Sequence, residues 1–263
     1  MKLADLLQEL LDLILPPACE GCGAVGKMGL CDDCTQEIIL VQAPLCAHCG
    51  FPFDPSLARA PQLCSYCGEY APMYDAARAY AMHSGPLRQA IIAYKFRGRM
   101  AIAPFLARLL AERLAAESTQ LWPLPVDRIE ALVPIPLHHE RKRWRGFDQA
   151  AVLARHLGKL VDMPVWEHCL TRHRPTLPQV GLSMEERLEN VQNAFAVTDA
   201  EAVRGRTVLM VDDVYTTGAT AADAARALKS AGVEAVYLLT ITRTVPDWHP
   251  AFRAESLYDD AYH

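Results

Sequence analysis

The 263-residue sequence has no run approaching the ~18 apolar residues that a membrane-spanning helix needs. No Gly-Lys-Ser/Thr occurs, which sets aside a P-loop. Apart from paired cysteines nothing repeats, and no stretch is of low complexity. Positive charge is not in excess: 26 Lys and Arg against 31 Asp and Glu leave a net charge of −5, which argues against a wholly basic nucleic-acid coat but leaves room for local basic clusters. The leucine-rich beginning lacks the uninterrupted apolar core and small-residue cleavage site of a secretory leader, because Asp5, Glu9 and Asp12 break it. Leu3, Leu6, Leu7, Leu10, Leu11 and Ile14 keep helical spacing instead. Residues 1–17 are therefore expected to form an amphipathic helix packed on the protein itself, with a partner or membrane surface as the alternative. The expected compartment is the cytoplasm.

Eight of the nine cysteines fall into Cys-x-x-Cys pairs: Cys19/Cys22, Cys31/Cys34, Cys46/Cys49 and Cys64/Cys67. This spacing brings two thiolates to one metal, and four such sulfurs satisfy tetrahedral zinc. Gly23, Gly50 and Gly68 follow three of the pairs, where glycine lets backbone N–H groups turn toward sulfur. A disulfide framework does not suit the expected compartment, and a redox dithiol would use one pair rather than four. Two structural zinc sites are expected. The simplest grouping is Cys19/Cys22/Cys31/Cys34 with Cys46/Cys49/Cys64/Cys67; a cross-braced grouping remains open. Residues 18–72 are rich in Pro and Gly with little apolar mass, so metal binding would supply their folding energy. His48 reads as a bystander between ligands, and Cys169 as a small buried hydrophobe.

The most informative segment is Val208–Thr220. Val208, Leu209, Met210 and Val211 form a short apolar run, expected of a strand covered on both faces in a parallel sheet. Asp212 and Asp213 follow at its carboxyl end, where open α/β sheets bind ligands, and adjacent carboxylates can accept hydrogen bonds from vicinal hydroxyls. Thr216, Thr217, Gly218, Ala219 and Thr220 then lead into Ala221–Ala231, helical by composition and ended by Gly232. Backbone N–H groups at a helix start, three hydroxyls and a glycine suit a phosphate. No Gly-x-Gly-x-x-Gly stands at this junction, unlike a dinucleotide-binding turn. The plainer reading, a strand and an ordinary cap, needs only one capping oxygen; a second carboxylate at a buried edge costs desolvation without a partner.

Pro and Gly thin out after Pro72, and strands then alternate with helices. Strands are expected at 77–82, 131–136, 194–198 and 235–241, the last two around the Asp-Asp strand. Helices are expected at 87–96, 102–116 and 149–160, with another opened by the capping box Ser183–Glu186. The predicted fold is α/β, a doubly wound parallel sheet over 73–263 behind the small cysteine-rich domain. Three polar clusters precede the Asp-Asp strand. Lys95-Phe-Arg-Gly-Arg99 closes a helix, where cations also suit the dipole. Arg141-Lys-Arg-Trp-Arg145 repels itself unless an anion arrives. The third cluster comprises Arg172, Thr176, Gln179, Leu182, Arg187, Asn190, Asn193 and Phe195.

The segment around Asp212 resembles the phosphoribosyl-pyrophosphate (PRPP) site of type I phosphoribosyltransferases. With the cysteine pairs, Lys-Phe-Arg-Gly at 95–98, Pro-Ile-Pro-Leu at 134–137, Arg-Gly-Phe-Asp-Gln at 145–149 and the Arg187/Asn190 helix, the whole chain resembles the ComF-type family, competence-associated phosphoribosyltransferase-like proteins with an amino-terminal zinc ribbon. The resemblance implies that Asp212 and Asp213 hold the ribose 2′ and 3′ hydroxyls and that Thr216, Thr217, Gly218, Ala219 and Thr220 hold the 5′-phosphate. In a catalytic member, Mg²⁺ bound mainly by substrate oxygens and water, with Lys95, Arg141, Arg143 or Arg145, would neutralise the leaving pyrophosphate. Asp212 and Asp213 would offset charge on an oxocarbenium-like state. The implied ligand is PRPP or a nucleoside monophosphate. The implied setting is uptake of transforming single-stranded DNA with the uptake machinery, or alternatively nucleotide salvage or gluconate utilisation. In a DNA-binding module, Trp144 and Phe147 would stack on bases. One position departs from the family pattern: Asp148 stands where Asn is expected, and a carboxylate there would weaken anion binding or serve a cation.

Overall fold

The computed structural model describes residues 16–54, 62–121, 123–174 and 193–244. The expected amino-terminal helix, the Ser183 capping box, and Thr176, Gln179, Leu182, Arg187 and Asn190 lie outside the described residues. The strands are β1 (Ala76–Met82), β2 (Ala131–Pro134), β3 (Leu170–Arg172), β4 (Phe195–Val197), β5 (Thr207–Tyr215) and β6 (Ala235–Arg243). The helices are α1 (Asp32–Gln36), α2 (Ser65–Tyr70), α3 (Gly85–Phe96), α4 (Ala103–Ala115), α5 (His139–Arg145), α6 (Gln149–Val161), α7 (Ala200–Val203) and α8 (Ala219–Ser230).

The main sheet runs β1-β6-β5-β2, and every pairing in it is parallel. All four strands therefore end at the same edge. Alternation splits their side chains between two layers. Leu132, Leu209, Val211, Leu239 and Ile241 face the layer of α3, α4 and α6, including Ile91, Leu106 and Leu153. Val133, Val208, Met210, Val236 and Leu238 face α8, whose inner side is Ala221, Ala224, Ala225 and Leu228. Burial on both faces explains why these strands read as continuous apolar runs rather than alternating ones.

Two differences from the sequence reading bear on the site. β5 continues four residues beyond Val211, because β6 keeps pairing alongside it as far as Tyr215 opposite Arg243. Asp212 and Asp213 thus sit on the strand rather than after it. Residues 195–197 do not join the main sheet; they pair antiparallel with β3 in a separate two-stranded sheet. Their burial explains the difference: Phe195 is buried and Ala196 exposed, the one-sided pattern of a strand with a single covered face.

The cysteine-rich segment packs on the α/β domain along the outer edge of β1. Val41 N–H donates to Tyr80 O (3.0 Å) and Met82 N–H to Ile39 O (2.8 Å), so an antiparallel segment covers what would be an open edge. Below it, buried Arg78 lies 3.4 Å from Glu117, which also pairs with Arg113 at 2.7 Å, so one buried carboxylate is shared by two arginines.

Candidate ligand site and metal centres

The carboxyl ends of β1, β2 and β5 converge with α3, α5 and the start of α6. Asp213 is buried, and its Oδ1 lies 2.7 Å from Lys95 Nζ at the end of α3. The Lys95 charge is thus shared with this carboxylate. Asp213 Oδ2 has no hydrogen-bond partner among the described residues. Asp212 is half-buried and accepts a hydrogen bond from Asp213 N–H at 2.8 Å. Burial, and then the Asp213 charge, push its pKa up to about 8 against the opposing pull of Lys95. Asp212 is thereby shifted toward its protonated form near neutrality.

Thr216–Gly218 link β5 to α8. Gly218 is the N-cap at φ 80° and offers no side-chain cap, Thr217 Oγ1 accepts from Ala219 N–H at 3.4 Å, and no acidic residue occupies the first turn. A twelve-residue helix thus presents a positive end beside two carboxylates. Thr216, Thr217 and Thr220 are half-buried around it. The Tyr215 ring lies directly under Gly218: a Cβ there would come 2.7 Å from Tyr215 Cζ and closer still to its hydroxyl. Only glycine satisfies both the left-handed backbone and this contact.

The other three sequence-predicted cations, Arg141, Arg143 and Arg145, lie along α5. Arg145 Nη1 donates to Gln149 Oε1 at 2.6 Å, and its guanidinium lies 5.0 Å from the Phe96 ring centre. Burial lowers its pKa and the Asp213 charge opposes that shift, which places Arg145 within electrostatic reach of the carboxylate pair. Arg141 is half-buried, whereas Arg143 and Trp144 are exposed. Phe147 turns inward and packs 5.4 Å from Tyr94, so it is not a stacking surface. The ring beside Trp144 is Phe96, at 6.2 Å, with 53% of Phe96 and 72% of Trp144 exposed.

Asp148 is the N-cap of α6; its two oxygens accept from Ala151 N–H (3.3 Å) and Leu137 N–H (3.0 Å). The departure from Asn thus secures a helix start and the turn after β2. One site residue escaped the sequence reading, and another was placed there only within the third polar cluster. His83 directly follows β1 with Nδ1 2.8 Å from Thr242 Oγ1, and burial, then Lys95 and Arg88, lower its pKa to about 4. It is a neutral imidazole beside the Lys95–Asp213 pair. Arg172 on β3 lies over Phe195 at 5.2 Å. Burial and then Arg141 bring its pKa down to about 10, with Asp212 and Asp223 opposing. The sequence does hold Arg172 in a polar cluster, but nothing local ties it to Asp212.

The eight paired cysteines gather as Cys19/Cys22/Cys31/Cys34 and Cys46/Cys49/Cys64/Cys67, the sequential grouping rather than the cross-braced one, with sulfurs within 4.8 Å of one another in each. Cys22 and Cys31 sulfurs are 3.7 Å apart, and those of Cys49 and Cys64 3.6 Å. Tetrahedral zinc with Zn–S near 2.3 Å requires about 3.8 Å between sulfurs, so the donor set fits zinc. Backbone N–H groups supply the outer shell: Gly21 and Cys31 donate to Cys19 Sγ (3.4 and 3.2 Å), and Cys64 to Cys46 Sγ (3.4 Å). Although burial opposes it, backbone donors at Cys22, Cys31 and Gly21 hold the Cys19 thiol down at about 6, toward the thiolate that metal requires. His48 belongs to neither group and packs 5.1 Å from Tyr74.

Fold and site together define a class: a phosphoribosyltransferase-like α/β domain carrying an amino-terminal cysteine module. Family models agree, with the double zinc ribbon domain matching residues 10–69 and the phosphoribosyl transferase domain residues 145–250. The chain is 34% identical to Competence protein F of Haemophilus influenzae, over 86% of this chain and 95% of that protein. It is 35% identical to DNA utilization protein YhgH of Escherichia coli, over 89% and 100% of the two chains. Competence protein ComFC of Bacillus subtilis matches at 26% over 77% and 79%. The chain belongs to the ComF family. Among the described residues no helix is long and apolar enough to cross a membrane.

Proposed function

We propose that the chain binds PRPP, or the 5-phosphoribosyl end of a nucleotide, between Asp212/Asp213 and Thr216–Thr220, and that it does so in the cytoplasm during handling of single-stranded DNA taken up in competence. The observation that carries this is the carboxylate pair on a central strand, followed by a helix start with no acidic residue in its first turn and a bend that only glycine can make. The carboxylates would accept the ribose diol, while the α8 dipole and threonine hydroxyls would hold the 5′-phosphate. Mg²⁺ would be held mainly by the ligand's own phosphate oxygens. Arg145 and Arg172, both within electrostatic reach of the pair, would offset a pyrophosphate.

The DNA-linked part draws on the names of the relatives and on the Phe96/Trp144 surface. Two exposed rings flanked by Arg97, Arg99, Lys142 and Arg143 suit a strand that stacks its bases and neutralises its phosphates. Active transfer to a nitrogen acceptor, as in nucleotide salvage, is the second reading, favoured by the same cations near Asp212. Calorimetric titration of PRPP with Mg²⁺ into the wild type and Asp213→Asn, with and without single-stranded DNA, tests the proposal. Binding in the wild type that is lost in the variant and changes with DNA supports it. Binding indifferent to DNA, with pyrophosphate released from PRPP by an acceptor, favours the transferase; no binding refutes both.

A further inference from the structure

The two metal centres differ in how they join the α/β domain. The first packs on helix surfaces, Gly21 against Pro86 of α3 and Gly29 against Phe105 of α4, and its Cys22 is exposed. The second is built into the floor of the ligand site. Three successive carbonyls of its first knuckle are hydrogen-bonded by the domain: Ala47 O by Arg78 Nη1 (3.2 Å), His48 O by Ala77 N–H (2.6 Å) and Cys49 O by Arg243 Nη1 (2.8 Å). Gly50, at φ 67°, lets the knuckle backbone press against Ala77 O.

From there a buried chain of contacts reaches the phosphate loop. The Arg243 guanidinium lies 5.0 Å from the ring centre of Phe51, just past the knuckle, and 5.0 Å from that of Tyr215. The Tyr215 hydroxyl is 2.7 Å from that of Tyr74, whose ring packs on His48. Gly218 then sits on Tyr215. Arg243, Tyr74 and Tyr215 are all buried, so none can shift without displacing its neighbours.

We propose that the Cys46/Cys49/Cys64/Cys67 centre positions the phosphate loop through Arg243 and Tyr215, so that metal there and a 5′-phosphate ligand at Thr216–Thr220 stabilise one another. This rests on the reading that the loop takes a 5′-phosphate. Losing the metal frees the knuckle carbonyl that accepts from Arg243 Nη1, and a buried cation left without it must move, taking the Tyr215 ring with it. Coupling of affinities is reciprocal, so the ligand must tighten metal binding by the same factor as metal tightens ligand binding, and with the knuckle held in place the gain is expected as slower metal loss. The first centre has no such role.

The test follows zinc release from the zinc-loaded full chain to a chromogenic chelator, with ribose 5-phosphate as the probe because pyrophosphate would itself draw zinc. Two release phases are expected, with saturating ribose 5-phosphate slowing one by about fivefold or more and leaving the other unchanged. Cys22→Ser should remove only the insensitive phase. Tyr215→Phe, which keeps the ring but loses the Tyr74 contact, and Arg243→Lys, which shortens the reach to Cys49 O, should lower the slowing factor while thermal melts confirm folding. Calorimetric binding of ribose 5-phosphate with neither phase slowed, or with both slowed equally, overturns the coupling alone. Absence of binding by ribose 5-phosphate and by PRPP overturns the ligand reading and the coupling with it.

Discussion

Replacing Gly218 by alanine tests the seating of the loop, and Gly146 supplies the control. Both glycines have left-handed backbones, at φ 80° and 84°. A Cβ at Gly146 meets nothing within 4 Å, whereas one at Gly218 meets Tyr215 Cζ at 2.7 Å and Cε2 at 3.0 Å. The backbone cost common to both is about 1–2 kcal/mol. Overlap with a ring that Tyr74 and Arg243 hold in place adds about 1–3 kcal/mol at Gly218. Gly146→Ala should therefore lose about 1–2 kcal/mol and Gly218→Ala about 2–5 kcal/mol, which is read from urea midpoints at an unchanged m-value. Ligand binding should weaken only in Gly218→Ala. Equal losses for the two variants would mean that the loop does not rest on Tyr215, and the account of the site floor would fall.

Asp212 gives a pH signature. Its folded pKa of about 8 lies above the ordinary carboxyl value, so between roughly pH 4 and 8 the folded chain keeps a proton that the unfolded chain has lost. Its contribution to stability is complete at low pH and falls as pH rises through that window, by at most about 1.4 kcal/mol per unit for one proton. Asp212→Asn should flatten the pH dependence of the urea midpoint by that component; identical profiles would show Asp212 ionised in the fold. Asp148→Ala should lose about 0.5–2 kcal/mol through the α6 cap, with Asp148→Asn in between because its single acceptor oxygen serves one of the two N–H donors. Equal stability of all three proteins would discard the cap as the reason for Asp148. If single-stranded DNA lies along α5, Arg143→Ala should reduce the slope of log affinity against log salt by about 0.7, and Trp144 fluorescence should quench on binding. An unchanged slope with no quenching would move the DNA surface elsewhere.

The parallel sheet and the paired carboxylates were legible because they are local: four apolar residues, two aspartates and a threonine-glycine run fall within one short segment. The length of β5 was not, since Asp212–Tyr215 owe their extended state to pairing with β6, where Thr240 and Thr242 are polar yet buried. The grouping of the cysteines was also hidden. Spacing fixes which thiols come in pairs, but which pairs share a metal depends on the path of the segments between them. Phe96 and Phe147 could not be ranked from sequence: one ends a helix facing solvent, the other follows the Gly146 turn and points at Tyr94. His83 and Arg172 are joined to Asp213 and Asp212 only through space, so no local pattern marks them.

The sheet order has a consequence for synthesis. Because β6 lies between β1 and β5, the first strand made has no partner in its own sheet until the last has left the ribosome. Pulsed hydrogen exchange during refolding should therefore find the Val41 amide protected, and with it the antiparallel partner Met82, before the β1 amides that wait for β6. The cysteine module, already translated, is the only strand-like backbone partner β1 can have in that interval among the described segments. It acts as a companion strand for the nascent chain, shielding a naked β edge from intermolecular pairing until the sheet can close around it.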